Sequence, residues 1–143
     1  MEKALLTERY AAKVIGRDIG GWWRMISLDR GSRDGVLLNQ AVVTSKGLVG
    51  KVADVTTRTC KVMLISDPSC RVSARLADKP SSGVLSGAGV SLRGRVRCEM
   101  SLINKDIPVE RDDRLITTGM GGVFPGGIEI GYIDQVTLDE SGL

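Results

Sequence analysis

Four groupings in this sequence have the residue types to do chemistry. Ser45-Lys46 sets a hydroxyl beside an amine, the makings of a Ser-Lys nucleophile pair. Asp112-Asp113 offers two carboxylates, the usual currency of general acid–base work. Cys60, Cys70 and Cys98 offer thiols for redox or metal chemistry. The stretch TTGMGGVFPGGIEIGYI, residues 117–133, holds Gly119, Gly121, Gly122, Gly126, Gly127 and Gly131, and glycine-rich loops can cradle phosphate.

Each grouping fails on spacing or company. Adjacent residues of a strand point to opposite faces, so Ser45 cannot meet Lys46, nor Asp112 meet Asp113; both pairs read as turns. The chain has no histidine, which removes Ser-His-Asp and Cys-His catalysis and the common zinc sites. No two cysteines stand at metal-site spacing, and three is an odd number, so at most one disulfide can form within the chain. They read as small buried hydrophobes. A phosphate loop or a dinucleotide fingerprint needs a helix after its glycines, and here IEIGYI follows, which reads as a strand. The expectation is a protein that is not an enzyme and carries no cofactor or metal.

The elements that hold these residues are strands. The chain has 18 glycines among 143 residues, against about 7% in average usage. Glycine suits turns between strands and weakens helices. From residue 14 onward, short runs such as VIGRD, RMISL, KVMLISD and CRVSARL are bounded by Gly, Pro, Asp and Ser, the pattern of an all-β sandwich or barrel. GVLSGAGVSLRGRVRCEM, residues 83–100, reads as two short strands around Gly87 and Gly89. The opening MEKALLTERYAA reads as the tail of a helix, as though cut from something longer. No apolar run approaches the 18 residues a membrane span needs, and no signal peptide is visible.

An internal repeat organises the rest. Val49–Thr56 aligns with Ile130–Thr137 in the pattern apolar-Gly-x-apolar-x-x-Val-Thr, which matches Gly50 to Gly131. Upstream, Val42–Ser45 aligns with Leu115–Thr118. Both copies are strand, turn, strand, and the second is about eight residues longer at the turn, where GMGGVFPGG lies. The glycines there, like Gly50, are expected to be structural: they supply positive φ and close backbone approach. Phe124, beside Pro125, is expected to plug a barrel mouth or a seam between two barrels; the other reading is a binding hot spot. Trp22-Trp23 follows Gly20-Gly21 at a strand start, so one Trp faces the core and the other can anchor an interface.

Charge narrows the partners. Lys and Arg total 20, Asp and Glu 17, a slight excess of +3. The nearest thing to a basic cluster is Arg93, Arg95 and Arg97, on one face of a strand, and no stacking aromatic lies near them in the sequence. A solvated face explains them. A small basic β-barrel binding single-stranded nucleic acid is the alternative from another class, and a histidine-free hydrolase on a double barrel is a third.

Taken in order, AKVIGRD (12–18), the Trp pair, DRGSRDGV (29–36), AVVTSKGLVGKV (41–52), LISDPSCRVSARL (64–76) and LITTGMGGVFPGGIEIGYI (115–133) resemble the MreC family of bacterial cell-shape proteins. The resemblance covers residues 12–143. It implies the extracytoplasmic β-domain of a single-pass membrane protein, on the periplasmic side, built of two small barrels of about six strands. The expected division is 1–13 as the end of a coiled-coil or helical linker, 14–68 plus 128–143 as the first barrel and 69–127 as the second. It implies a non-catalytic scaffold that self-associates and binds the penicillin-binding transpeptidase of elongation, with MreD, RodA and MreB in the same assembly. The family has no catalytic site to carry over. Three cysteines are unusual for it, and their redox state stays open.

Overall fold

The computed structural model describes residues 2–5, 9–18, 25–90, 96–102, 107–121, 124–134 and 136. Twelve strands run through them: β1 Glu2–Leu5, β2 Arg9–Ala12, β3 Val14–Asp18, β4 Met25–Leu28, β5 Ala41–Thr44, β6 Gly47–Val55, β7 Cys60–Leu64, β8 Arg71–Leu76, β9 Ser82–Val90, β10 Val96–Leu102, β11 Arg114–Thr117 and β12 Glu129–Tyr132. Among the described residues the only helical turn is a 3-10 turn, Ser32–Asp34, closed by Gly35 at φ 90°.

The strands form two sheets. The first has the order β2-β1-β5-β6-β7-β4-β3. Its first and last members are two halves of one strand broken at Lys13, so the order returns on itself with six positions around the ring. Asp29 holds the break. Its Oδ1 accepts from the Lys13 N–H at 2.7 Å, and its own N–H donates to the Lys13 carbonyl at 3.1 Å. The second sheet has the order β10-β9-β8-β11-β12. Antiparallel pairing runs throughout, and alternation of apolar and polar residues fills each interior. In β8, Val72, Ala74 and Leu76 face in while Arg71 and Arg75 face out. The fold is all-β with two small barrel-like sheets, as expected, and the second has five described strands rather than six.

Two local expectations are corrected. The helix tail expected over 1–13 is a β-hairpin, with β1 paired to β2 and also laid along β5. A helix of a dozen residues is marginal by itself, whereas an open edge at β5 supplies a ladder of hydrogen bonds. Gly87 and Gly89 do not separate two strands but lie inside β9. The backbone of Ser66 and Asp67 crosses directly over Gly87, and any Cβ there would collide with it, so this glycine serves close approach rather than turning.

The repeat is realised in register. In the first copy Val42 pairs with Gly50 and Val43 with Leu48; in the second Leu115 pairs with Gly131 and Ile116 with Glu129. Val42, Val43 and Gly50 are the residues that the sequence alignment matches to Leu115, Ile116 and Gly131, and Leu48 and Glu129 extend the match by one more ladder position. A β-bulge falls at the same step of both ladders, between Val42 and Val43 and between Leu115 and Ile116. The two hairpins then pack on each other. Ala41 and Leu48 of the first share a buried cluster with Leu115, Phe124 and Ile128 of the second. Gly47, at φ 130°, backs onto the Glu129 carbonyl, where any Cβ would collide. A separate cluster around Ile26, Leu28, Val42, Val52 and Val62 fills the first sheet. Strand β12 therefore has two neighbours: it hydrogen-bonds to β11 and touches β6.

Candidate interaction surface

The glycine-rich stretch folds back on its own strand. Thr117, on β11, is buried, and its Oγ1 donates to the Pro125 carbonyl at 2.6 Å while accepting from the Ile128 N–H at 2.9 Å. The Gly127 N–H donates to the Thr117 carbonyl at 2.8 Å. Gly119 and Gly127 both sit at φ 82°, in the left-handed region that glycine enters without strain. A phosphate cradle needs N–H groups pointing at a ligand, and those of Gly127 and Ile128 are committed to Thr117. Phe124 is 5% exposed and fills the seam between the two sheets. Pro125 is half-buried, and Met120 at the loop tip is exposed.

The other expected positions divide. Gly50 is required by packing, since a Cβ there would strike the Met63 carbonyl of β7. Gly126 lies tight against the Thr118 carbonyl, at 3.0 Å from an ideal Cβ. At Gly121, φ 85° favours glycine in open space. Gly131, its φ outside the left-handed range and no described atom within 4 Å of an ideal Cβ, has no steric need to be glycine. Trp22, Trp23, Gly122, Arg93 and Arg95 lie outside the described residues. Arg97 is exposed on β10.

The residue pairs that suggested catalysis are turns. Ser45-Lys46 is the two-residue turn between β5 and β6, with the Lys46 N–H donating to Thr44 Oγ1 at 3.2 Å. Asp112 has φ 71°, a left-handed position that aspartate tolerates. Asp113 turns to Lys79, whose Nζ lies 2.9 Å from Asp113 Oδ2 and donates also to the Pro108 carbonyl at 3.1 Å. The same carboxylate accepts from the Glu110 N–H at 2.9 Å. This latch joins the β8–β9 turn to the segment before β11, and nothing in the sequence points to a partner 34 residues away.

The Glu110 N–H, with the Lys79 ammonium behind it, holds the Asp113 carboxyl below its ordinary value of 3.8. A carboxyl with a depressed folded-state pKa contributes stability above that ordinary value and loses it as pH falls through the folded pKa. Asp113→Asn should therefore lower the Tm at about pH 6, and the gap to the unsubstituted chain should shrink toward about pH 3. Thermal melts at the two pH values check this; a gap that stays constant sinks it.

All three cysteines are free thiols. Burial is the first cause that pushes each from 9.0 up to about 11, with the Asp29 carboxylate adding to it for Cys60. Such groups favour the fold fully below their unfolded pKa and lose that contribution as pH rises through the folded one. At about pH 8 roughly a thousandth of each is thiolate, against about a tenth for a free thiol. A thiol reagent should label none of them in the time an exposed thiol reacts fully, and all three after denaturation. Rapid labelling of the folded chain would contradict this.

Among the described residues, no group of His, Cys, Asp or Glu could hold a metal ion, and no helix is long and apolar enough to cross a membrane. The family model described as "Rod shape-determining protein MreC, barrel core" matches residues 14–143. The cell shape-determining protein MreC of Listeria monocytogenes is 35% identical over 135 residues, covering 92% of this chain and 45% of that protein. The chain thus spans less than half the length of that relative. The crystal structure of MreC from Pseudomonas aeruginosa superposes with a TM-score of 0.82 at 26% identity, covering 90% of this chain and 81% of that one. The major periplasmic domain of a "cell shape-determining filament MreC" has the same fold, with a TM-score of 0.77 at 23% identity over 92% of this chain and 80% of that one. Fold, repeat and match agree over nearly the whole chain, which belongs to the MreC family of rod shape-determining proteins and carries its barrel core.

Proposed function

We propose that this chain is a non-catalytic scaffold of the bacterial cell-wall elongation machinery. It acts at the extracytoplasmic face of the cytoplasmic membrane, tethered through a single transmembrane anchor. It self-associates and binds the penicillin-binding transpeptidase of elongation, in an assembly with MreD, RodA and MreB. The observation that carries the reading is the fate of the 117–133 stretch: Thr117 ties the loop back to β11, and Phe124 and Ile128 pack with Ala41 and Leu48 of the matched hairpin, joining the two sheets. That architecture suits surface complementarity. The word filament in the name of a structural neighbour supports self-association.

In this reading the chain divides at residues 14–68 with 128–143 and at 69–127, if β12 is counted with its packing neighbour β6 rather than with its hydrogen-bonding neighbour β11. The Trp22-Trp23 pair and the 118–127 loop, with its exposed Met120 and half-buried Pro125, supply partner contacts, and Phe124 anchors that loop from inside. Passing detergent-solubilised membranes of the source bacterium over the immobilised chain tests it. Recovery of the elongation transpeptidase or of full-length copies, identified by mass spectrometry, is the expected result. Recovery of neither, with the chain monomeric at high concentration, would end the scaffold reading.

A further inference from the structure

The outer face of the first sheet carries a groove of about 550 Å³ that the scaffold reading does not use. A cross-strand row forms its length: Asp54 on β6 pairs with Lys61 on β7, Lys61 with Ser27 on β4, and Ser27 with Gly16 on β3. Two bulges shape it, one between Val14 and Gly16 and one between Val52 and Asp54. Bulges bend a strand and re-aim its side chains. Gly16 contributes no side chain, which opens the end beside the Ser27 hydroxyl. Met25 and Ala53 give the lining an apolar part, and Arg17 and Lys61 bring positive charge.

The charges are available. Among the described residues neither Arg17 nor Lys61 makes an ion pair. Asp54 is the cross-strand partner of Lys61, yet its Oδ1 accepts from the Val55 N–H at 3.0 Å and it makes no ion pair with that lysine. We propose that this groove binds an extended peptide segment through a glutamate or aspartate side chain. Arg17 and Lys61 take the carboxylate, and the Ser27 hydroxyl donates to it. The side-chain methylenes lie on Met25 and Ala53. The second oxygen of Asp54 accepts a backbone N–H of the segment. That rim carboxylate also selects against a doubly charged phosphate, which it would repel. The volume lies within the range of ordinary ligand sites, roughly 300–1,000 Å³.

The test is a titration of the isotopically labelled 143-residue chain, followed by NMR, with three probes: the capped peptide Ala-Glu-Ala-Glu-Ala, its counterpart with Gln in place of Glu, and inorganic phosphate. The Glu peptide should saturate, with amide shifts centred on Gly16, Arg17, Ser27, Asp54 and Lys61. The Gln peptide should bind about tenfold more weakly, and salt should weaken the Glu peptide. Lys61→Met should remove one grip on the carboxylate. Gly16→Leu should block the groove with every charge intact, since no left-handed φ demands glycine there. Equal binding of the two peptides, shifts centred elsewhere, displacement by equimolar phosphate, or no binding would each overturn the proposal. Its failure would leave the membrane pull-down untouched, because that experiment reads capture of the transpeptidase or of full-length copies and not the binding of an acidic peptide.

Discussion

Gly50→Ala should destabilise the chain by about 3 kcal/mol and lower its Tm by on the order of 10 °C, while Gly131→Ala should change stability by less than about 0.5 kcal/mol. The two glycines are counterparts in the repeat and occupy the same register position, opposite Val42 and Leu115. They differ in what lies beyond. Strand β6 has β7 on its other side, and a Cβ on Gly50 would run into the Met63 carbonyl. Backbone cannot swing aside as a side chain does, so the β6–β7 ladder must open or the barrel must deform. Strand β12 ends the second sheet, and a Cβ on Gly131 would meet no described atom within 4 Å. Denaturant unfolding of the two variants checks the pair. Equal destabilisation would mean that the repeat is kept for conformation rather than for packing.

Phe124→Ala should cost about 3–5 kcal/mol, the range for removing a buried aromatic side chain. Phe124 is the sole phenylalanine, and it lies where the two hairpins converge with Leu48, Leu115 and Ile128. Its loss leaves a cavity bounded by two sheets, and each is tied down by its own ladders. Collapse of either sheet into the space would strain its register, so little relaxation is available. Phe124→Leu should recover more than half of the loss. The comparison separates a seam plug from a docking residue. A docking residue would leave Tm unchanged on truncation and lose only partner binding. Following Tm and transpeptidase capture together for both variants distinguishes the two roles.

Some of this was legible in the sequence, for physical reasons. The period-two pattern of CRVSARL shows directly as alternate burial, because a strand with one face on a core must repeat every second residue. The repeat was legible because Gly50 and Gly131 mark equivalent ladder positions. The first dozen residues misled, since Ala, Leu, Glu and Lys favour a helix only where no sheet edge competes. Gly87 misled because glycine marks close approach as well as turns, and the Asp67 backbone over it is 20 residues away in the chain; Gly89 takes a left-handed φ of 81° without ending its strand. The Lys79–Asp113 latch and the charged groove were beyond reach. Each depends on cross-strand or cross-loop partners that only the register brings together.

The unequal turns of the two hairpins have a further consequence. Two residues join β5 to β6 and eleven join β11 to β12, yet pairing and bulge are the same. Closing the longer connection adds only roughly 1.5 kcal/mol of chain entropy, and Thr117 staples its far end back to the strand. Length at the tip is thus uncoupled from the geometry of the sheets. Met120 is 72% exposed, and a Cβ on Gly121 beside it would meet no described atom within 4 Å. A peptide tag or fluorescent reporter spliced between these two residues would be carried as a passenger, giving a handle for imaging the protein in growing cells with both barrels intact.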